Sequence, residues 1–403
     1  MKVCILFQND FPPEPRLLRT AQVLMRLGHQ VEVFCDSRRG RPQCEVVEGV
    51  RVTRLRAVSS RKKGWRRLAG LPIFWNPIWV WQFLSFALRQ KFDAIHAINI
   101  TLLPLGFLAA KLLRVPIVYD MYENYPAALR SWKLRGWFNR IFRSPAFAES
   151  LDRFFIRRVD HVFVVVEESA ARARALGARE DRLSVIYNTT DVQALRAQPL
   201  DPMIVQRYQS YFTIVYTGNV SPERGLETIV AAMAMLRNKI PEAKLVIAGG
   251  GPSEQTIRNL TAAHALEAHV EITGWIDDKL FPSYIHAAKV CIVPHPANPF
   301  IDTTLPNKLF DYMALGKPVI VSDAKPLARI VRECECGAVF VSDSAESFVT
   351  AVEQLRMNCE EAGQRGKQAV ATKYNWQNSS RALQDYYGTL AQHKTLKRKH
   401  EPG

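Results

Sequence analysis

Residues 216–226 carry the strongest chemical signal in the sequence. An apolar run that suits a buried strand ends at Gly218, a turn follows, and Arg224 and Gly225 stand where a helix begins. The amides and the positive dipole end of a helix N-terminus attract anions, and a guanidinium can bind two phosphate oxygens at once. The spacing therefore suits a diphosphate site. Taken alone, however, the stretch favours a simple turn with a solvent-facing Arg224.

A second stretch, residues 303–320, could hold the sugar of a nucleotide. Pro306 suits the first turn of a helix, and Gly316-Lys317-Pro318 would end that helix about three turns later. Asp311 lies one turn inside, where its carboxylate could accept both hydroxyls of a ribose while the helix start faces phosphate. A sheet-covering helix with a solvated Asp311 is an equal alternative for this stretch alone.

The elements around these stretches alternate between short apolar runs and helical patterns. Residues 162–166 are apolar on both faces, as a strand must be when helices cover both sides of a parallel sheet. This βαβ series predicts an α/β fold. We expect strands at residues 2–7, 30–35, 50–56, 94–98, 116–120, 161–166 and 183–188, and then at 213–216, 244–248, 270–273, 290–294, 319–322 and 338–341.

The chain length of 403 residues suits two domains of about 200 residues each. The βαβ pattern restarts after residues 192–211, where Pro199 and Pro202 indicate a linker. Residues 376–393 form a lone amphipathic helix, with no strand after it, that could return to the first domain. We therefore predict a first domain over 1–195 joined by helix 376–393, a second domain over 196–375, and a basic tail over 394–403.

The composition is that of a folded protein with an uneven charge. Hydrophobic residues make up 48% of the chain and charged residues 23%, which excludes a disordered polypeptide. The formal net charge is +16, and residues 1–200 hold 32 Lys and Arg against 17 Asp and Glu, whereas residues 201–403 hold 22 against 21. The first half therefore predicts an anionic partner of its own.

The cysteines and the apolar stretches indicate a cytoplasmic protein. Seven cysteines form no CxxC pair, and Cys334 and Cys336 are poorly spaced for zinc or a disulfide, so we expect thiols in a reducing compartment. The apolar run at residues 1–7 is too short for a signal peptide and suits a first strand. The longest apolar stretch, residues 72–88, falls short of the roughly 20 residues that a spanning helix needs.

Taken together, residues 216–226 and 303–320 resemble the retaining glycosyltransferases of the GT-B fold, specifically glycosyltransferase family 4. The resemblance covers nearly the whole chain. It implies two Rossmann-like domains that face a central cleft, with the C-terminal helix crossing back to the first domain. Further family-like stretches, in the family's order, are residues 27–33, 185–188, 247–252, 273–275 and 290–294.

The resemblance assigns residues to a nucleotide-sugar donor, for which UDP is favoured over GDP. Arg224 matches the basic residue, commonly Lys, that holds the diphosphate, whereas Asn219 stands where the family often has Arg. Lys308 could supply the missing cation, and Asp311 matches the second acid of the E-x7-E motif, which binds the ribose. The expected donor-binding residues are Gly218, Asn219, Arg224, Gly225, Gly274, Trp275, Asn307, Lys308, Leu309 and Asp311.

The first acid of that motif is missing. Its position is held by Thr303, and Asp302 is adjacent, so the group that reads the sugar is either displaced by one residue or replaced by hydroxyls. The base of the nucleotide is expected beside Gly274 and Trp275, where backbone groups read its edge in the family.

In the first domain, residues 8–15 stand where the family carries a Gly-rich loop, but here the loop lacks glycine. Asp120 and Glu123 follow a buried strand, so they emerge at the carboxyl edge of the sheet, where such folds bind ligands. Both are candidates for contact with the acceptor, and capping or turn roles are the alternative. Tyr122 stands where related sequences often have His. The candidate catalytic residues are therefore Asp120, Glu123, Asp302 and Thr303.

The family resemblance implies transfer with retention, in which the acceptor hydroxyl attacks the face from which the diphosphate leaves. Such a step needs a stabilised leaving group and an aligned acceptor more than a strong base. The cations near the predicted diphosphate site suit that requirement, and the sequence shows no obvious carboxylate pair for hydrolysis. No metal and no cofactor are expected besides the donor.

Two segments combine positive charge with aromatic residues, Arg61–Trp81 and Arg130–Arg158. A basic amphipathic helix with Trp is typical of binding to an anionic membrane surface. A solvated basic face whose apolar side covers the sheet is the alternative, and no nucleic-acid module is present. The segments predict a peripheral location on the inner face of the plasma membrane and a lipid-linked or glycan acceptor for cell-surface glycan synthesis.

Two other functions remain open at this point. A nucleotide-sugar 2-epimerase of the same fold would work on the donor without an acceptor. A catalytically silent sugar-nucleotide-binding protein would account for the absence of an acid at Thr303.

Overall fold

The computed structural model describes residues 1–12, 14–37, 40–56, 76–131 and 144–400. The chain divides into two compact units. The first consists of Met1–Ile186 together with Ser380–Gly403, and the second consists of Tyr187–Ser379. The first domain was expected to run to residue 195, whereas residues 187–195 lie in the second unit.

The first unit contains an eight-stranded sheet in the order β3-β4-β2-β1-β5-β6-β7-β8. All neighbouring strands are parallel except β3 and β4, and the register places Val3 beside both Val31 and Ala94. The strands are β1 (Lys2–Leu6), β2 (Gln30–Cys35), β3 (Cys44–Val47), β4 (Val50–Arg54), β5 (Ala94–Ile98), β6 (Ile117–Met121), β7 (His161–Val164) and β8 (Leu183–Val185).

Helices cover this sheet because its central strands are buried on both faces. β5, β6 and β7 are buried along their whole length, as the apolar runs predicted. The described helices are α1 (Pro15–Arg26), α2 (Pro77–Gln90), α3 (Leu103–Leu113), α4 (Tyr125–Ser131), α5 (Pro145–Ile156) and α6 (Glu167–Ala175).

The second unit contains a six-stranded, all-parallel sheet in the order β11-β10-β9-β12-β13-β14. Its strands are β9 (Phe212–Thr217), β10 (Ala243–Ala248), β11 (Val270–Gly274), β12 (Val290–Val293), β13 (Val319–Ser322) and β14 (Gly337–Phe340). The second sheet is wholly parallel and the first is parallel except for its β3–β4 edge, which agrees with the predicted α/β fold.

The helices of the second unit alternate singly with its strands between β9 and β14, two more precede β9, and three more follow β14. They are α7 (Val192–Arg196), α8 (Pro202–Arg207), α9 (Leu226–Lys239), α10 (Glu254–Ala263), α11 (Phe281–Ala287), α12 (Lys308–Ala314), α13 (Lys325–Cys334), α14 (Ala345–Arg356), α15 (Cys359–Thr372) and α16 (Trp376–Ser379).

The last helix, α17 (Arg381–His400), belongs to the first unit, as the prediction of a returning C-terminal helix required. The hydroxyl of Tyr387 lies 3.0 Å from Nδ1 of His96 on β5 and fixes the helix against that sheet. Two expectations were wrong. Residues 376–393 are two helices separated at Ser380 rather than one, and most of the expected tail continues α17 as far as His400.

Other differences concern the ends of elements. The strand β3 was missed because it lies at the edge of the sheet and alternates between exposed and partly buried residues. The helix expected to start near Pro306 and run for three turns is only seven residues long and starts at Lys308. Three predicted strands, 30–35, 94–98 and 319–322, match the observed bounds, and the others differ at one or both ends by one to three positions.

Candidate functional site

The candidate donor site lies where the strand order of the second sheet reverses. β9 is flanked by β10 on one side and β12 on the other, and the chain leaves β9 for β10 in one direction and reaches β12 in the other. In open parallel sheets, ligands bind beyond the carboxyl ends of the strands at this reversal. The residues that follow β9 and β12 are Gly218–Gly225 and Pro294–His295, respectively.

Glycines allow the turns after β9 and β10 to touch. Gly249 has a φ of +150°, and a Cβ added to it would lie 2.0 Å from the carbonyl oxygen of Gly218. Gly218 itself donates its N–H to the carbonyl of Ala248 at 2.9 Å. No larger residue fits at Gly249, so the backbone forms a narrow, side-chain-free edge beside Asn219.

Arg224 closes a 3-10 turn, Pro222–Arg224, immediately before α9. Gly225 starts that helix with a φ of +66°, and a Cβ there would lie 2.3 Å from the carbonyl oxygen of Pro294. Nη1 of Arg224 donates a hydrogen bond to Nε2 of His295 at 2.7 Å. Arg224 is therefore held against the end of β12, and the interpretation of it as a solvent-facing turn residue is wrong.

His295 is completely buried beside two cations. Burial, together with the charges of Lys308 and Arg224, holds the pKa of its imidazole well below the usual value. The ring is therefore neutral at physiological pH, and because Nε2 accepts a hydrogen bond, the proton lies on Nδ1. Within the described residues, neither Nδ1 of His295 nor Nε of Arg224 has a hydrogen-bond partner.

Lys308 brings a second cation to the same place. Its Nζ donates to the carbonyl of Thr217 at 2.7 Å and lies 3.8 Å from the ring centroid of Tyr216. Burial and the nearby charge of Arg224 lower the pKa of Lys308 well below its usual value, and Asp311 opposes that shift. In the described part of the chain, no salt bridge compensates Arg224 or Lys308. The site thus holds positive charge that an anion would stabilise.

The short helix α12 is fixed to β9 by Tyr312, whose hydroxyl accepts from the N–H of Thr217 at 2.9 Å. Asp311 is partly buried on the first turn of α12, and Asn307 precedes the helix without a side-chain capping bond. Leu309 is completely buried in the core, so only its backbone could reach a ligand.

Asp302 and Thr303, the candidates for the missing acid, lie in the 3-10 turn Ile301–Thr303. The carboxylate of Asp302 accepts from the backbone N–H of Lys325 at 3.0 Å. The hydroxyl of Thr303 donates to the carbonyl of Pro299 at 3.0 Å. Both side chains are therefore engaged in local hydrogen bonds.

The expected base site is open to solvent. Gly274 ends β11 with a φ of +70°, and the side chain of Trp275 is 74% exposed. A Cβ on Gly250 would lie 2.8 Å from Cδ1 of Trp275, so the turn after β10 packs directly on the indole.

In the first unit, Asp120 is a core residue rather than a surface group. Its carboxylate lies 3.0 Å from Nη2 of Arg16 and 3.1 Å from Nε2 of His96, and it is 1% exposed. Burial alone would raise its pKa, but Arg16 and His96 outweigh that effect, and the pKa of Asp120 is lowered. Asp120 is therefore held in the core by Arg16 and His96.

Glu123 lies nearer the surface, after the end of β6. It is partly buried, and burial raises its pKa above the usual value. The side-chain amide of Asn99 donates to its Oε1 at 3.5 Å, and Asn99 accepts from the N–H of Tyr122 at 3.1 Å. Of the two acids, Glu123 remains the candidate for acceptor contact.

Sequence reasoning missed His295, Arg16 and His96. His295 could have been found, because it is the first polar residue after the buried strand β12. The carboxyl end of that strand lies where the strand order of the sheet reverses. No sequence pattern joins Arg16, His96 and Asp120, which only the fold brings together.

The described residues contain neither a cluster of metal ligands nor a helix that could span a membrane. Among the described residues, no cluster of three or more His, Cys, Asp or Glu side chains could hold a metal ion. None of the described helices has the length and apolar character needed to cross a membrane. Most of Arg61–Trp81 and the Trp-rich part of Arg130–Arg158 lie outside the described residues.

Two family models match the chain. Residues 13–189 match the glycosyl transferase 4-like domain, and residues 200–372 match glycosyl transferases group 1. The second model contains all of the candidate donor residues in the second unit.

Curated relatives share low identity over part of their length. The alpha-D-kanosaminyltransferase of Streptomyces kanamyceticus is 22% identical over 62% of this chain and 63% of its own. The GDP-mannose-dependent alpha-(1-6)-phosphatidylinositol monomannoside mannosyltransferase of Mycobacterium tuberculosis is 27% identical over 58% of this chain and 64% of its own. The chain thus spans a little under two thirds of the length of these relatives.

Solved structures match over nearly the whole chain. Sucrose-phosphate synthase from Thermosynechococcus elongatus has a TM-score of 0.77 at 19% identity and covers 98% of this chain and 100% of its own. Anabaena HepE in complex with UDP has a TM-score of 0.70 at 15% identity, with coverages of 96% and 100%. These likenesses show the fold, and the predicted GT-B architecture is confirmed.

Proposed function

Because this chain belongs to the group 1 glycosyltransferases of the GT-B fold, we propose that it transfers a sugar from a nucleoside-diphosphate donor to an acceptor. The observation that carries the proposal is the pair of cations at the reversal of the second sheet. Arg224 and Lys308 lie beside a glycine edge and the start of α9, and within the described residues no salt bridge compensates either of them. A diphosphate is an anion of the right size and charge for that place.

The remaining donor contacts follow from the positions of the predicted residues. Asp311, one turn into α12, would accept hydrogen bonds from the ribose hydroxyls, and the backbone of Asn307 and Leu309 lies beside it. Gly274 and Trp275 would contact the base, and Asp302 and Thr303 are the groups nearest in sequence to the missing sugar-binding acid. UDP is the favoured nucleotide, which agrees with the UDP complex of a protein of this fold, whereas the name of one relative specifies GDP-mannose.

The proposed reaction proceeds with retention and without a metal. Arg224 and Lys308 would stabilise the negative charge that develops on the leaving diphosphate, which is the largest requirement of such a step. The acceptor hydroxyl needs only to be aligned on the same face of the sugar. In the first unit, we propose Glu123 for contact with the acceptor, because Asp120 is committed to Arg16.

We further propose a lipid-linked or glycan acceptor and peripheral contact with an anionic membrane. The described part of the first unit exposes apolar side chains on α2, α3 and α5, among them Trp81, Leu112 and Phe154. α3 packs on α5 through the rings of Phe107 and Phe155, whose centroids are 5.3 Å apart. Exposed cations accompany these groups at Arg89, Lys111, Arg114, Arg153 and Arg158.

A donor panel tests the reaction class. The protein is incubated with UDP- and GDP-sugars labelled in the sugar, with and without a lipid extract as the acceptor source, and label transfer and nucleotide release are measured. We expect acceptor-dependent transfer that falls by at least about 100-fold in Arg224→Ala, since a charged group that stabilises the leaving anion contributes about 3 kcal/mol. The matched control is Lys239→Glu, a surface residue paired with Glu353 in the same unit.

The other outcomes identify the competing functions. Formation of an epimer from the donor alone would show that the protein is a 2-epimerase rather than a glycosyltransferase. Tight donor binding by the wild-type protein, without transfer or formation of an epimer, would indicate a silent binding protein.

A further inference from the structure

Arg224, which is partly buried, is held in a way that differs from three other arginines, Arg16, Arg54 and Arg172. Arg16 pairs with Asp120 at 3.0 Å, Arg54 with Asp10 at 2.7 Å, and Arg172 with Asp152 at 2.7 Å. Each of these guanidinium groups is neutralised by a carboxylate, as buried charges usually are. Arg224 instead donates to an imidazole nitrogen, that of His295, at 2.7 Å.

The imidazole can act as an acceptor only while it is neutral, and its surroundings keep it so. The charged groups that face it are Arg224 from the turn before α9 and Lys308 from α12. The opposing charge of Asp311 acts on Lys308. Protonation of His295 would place a third positive charge in a buried site, at a cost that burial magnifies.

His295 is itself fixed by the fold. It lies two residues after the end of β12, and its carbonyl oxygen accepts a hydrogen bond from the hydroxyl of Ser322 at the end of β13. The preceding residue, Pro294, lies so close to Gly225 that no Cβ fits between them. The imidazole and the start of α9 therefore have a defined separation, and the guanidinium between them has little freedom.

We propose that His295 is the positioning residue of the donor site: it fixes the guanidinium of Arg224 with an uncharged acceptor, and so leaves the full positive charge of Arg224 for the β-phosphate of the donor. This inference rests on the proposed function, because it assumes a diphosphate at Arg224. A carboxylate in the same place would fix the guanidinium equally well but would cancel the charge. Loss of the acceptor would keep the charge but release the side chain, which a bound anion would then have to order.

Three substitutions separate these effects. His295→Gln retains a neutral acceptor, Oε1, near the position of Nε2. His295→Glu has nearly the same shape as His295→Gln and adds a negative charge. His295→Phe keeps a planar ring and removes the acceptor. The readout is the ratio of the affinities for UDP and UMP, measured by titration calorimetry, because the two ligands differ in the β-phosphate alone; GDP and GMP form a second pair.

We expect wild type and His295→Gln to prefer UDP over UMP to the same extent. In His295→Glu and His295→Phe, that preference falls about tenfold, toward the value for Arg224→Ala, and His295→Phe adds nothing in the Arg224→Ala background. If the Phe variant does not fold, as judged by its thermal unfolding, the comparison of Gln with Glu decides.

Two results overturn the inference. Equal losses of UDP and UMP affinity with an unchanged ratio would show that His295 only supports the fold. A Glu variant that keeps the wild-type ratio would show that the charge of its anchor does not matter. Failure of the proposed function looks different: the wild-type protein would then bind neither UDP nor GDP more tightly than the corresponding monophosphate.

Discussion

At the residue scale, the two units treat buried charge in opposite ways. In the first unit, Arg16, His96 and Asp120 form a compensated network that also reaches Ile186 through a hydrogen bond from Nη1 of Arg16 at 2.8 Å. In the second unit, Arg224 forms no salt bridge within the described residues, and the charge of Asp311 offsets the lowered pKa of Lys308 only in part. A carboxylate that pairs with a buried cation stabilises the folded protein. A cation without such a partner suits a site where a bound ligand supplies the negative charge.

The compensated network makes a prediction about stability. Asp120→Asn leaves the charge of Arg16 buried without its partner, so we expect the free energy of unfolding at pH 7 to fall by about 3–5 kcal/mol. Because the pKa of Asp120 is lowered in the folded protein, its contribution is complete above the unfolded-state pKa of about 4 and is lost as the pH falls through the lower, folded-state value. Urea titrations of both proteins at pH 7 and near pH 3 measure the difference, which should shrink at the acidic pH.

The control for this substitution is Asp181→Asn. Asp181 pairs with Arg179 on the surface, with both side chains about 60% exposed, so its loss should leave the unfolding midpoint unchanged. Equal effects at Asp120 and Asp181 would contradict the role of the buried network.

The residues of the donor site were predicted from the sequence to very different degrees. Arg224 and Lys308 each belong to a contiguous motif, although the two residues are 84 positions apart. In the structure, Arg224 bonds to His295 just after β12, and Lys308 bonds to Thr217, the last residue of β9. His295 was not foreseen, although its position after β12 could have indicated it, because a single His after a strand is not a motif. The hydrogen bond of Asp302 could not be foreseen either, since it depends on where α13 begins. The bonds of Thr303 depend on the local fold of its own loop.

At the element scale, the glycine turn after β10 is the part of the site that tolerates the least change. A Cβ at Gly249 would collide with the backbone of Gly218, and its φ of +150° is unfavourable for other residues. We expect Gly249→Ala to lower the free energy of unfolding by at least about 2 kcal/mol and to weaken UDP binding, because the turn beside Asn219 must move.

Gly388→Ala is the matched control, since Gly388 lies within α17 and nothing stands within 4 Å of the added Cβ. Alanine favours a helix over glycine, so this variant should gain about 0.5–1 kcal/mol and bind UDP as before. Thermal unfolding and calorimetry on the pair provide the measurement. A Gly249→Ala variant as stable as Gly388→Ala would contradict the geometry of the turn.

The elements themselves were largely predictable, and the exceptions have physical causes. Runs such as those of β7 and β12 are apolar on both faces, and only a buried parallel strand explains them at that length. β3 escaped because an edge strand needs no such pattern. α12 is shorter than expected because Thr304–Asn307 precede it without helical structure, and Leu315 ends it one residue before Gly316, whose φ is +73°.

At the scale of the whole molecule, the uneven charge is the main feature that the donor site does not explain. The excess of Lys and Arg lies in residues 1–200, and the described surface of α3 and α5 places cations such as Arg153 and Arg158 beside exposed apolar groups. Arg158 also stacks on Phe154 at 3.9 Å. The fold and the family could be predicted from the order of motifs along the chain. The residues of this surface could not, because they come from separate helices, and the sequence showed only that two segments are basic.

Charge reversal tests the membrane proposal. Arg153→Glu combined with Arg158→Glu should weaken binding to phosphatidylglycerol-containing vesicles at least about 30-fold, since each basic residue near an anionic surface contributes about 1 kcal/mol. The control, Lys239→Glu combined with Arg356→Glu, makes the same charge change in the second unit on residues about 45% exposed. Co-sedimentation with vesicles measures both, and equal losses would point to net charge rather than to this surface.

The central claim is that the cations at the reversal of the second sheet hold the leaving diphosphate during sugar transfer. The most direct measurement is the initial rate of label transfer from a nucleotide sugar to an extracted lipid acceptor by the wild-type protein and by Arg224→Ala, side by side. Our account predicts transfer by the wild type and a loss of at least about 100-fold in the variant. Transfer at an undiminished rate in Arg224→Ala would contradict it.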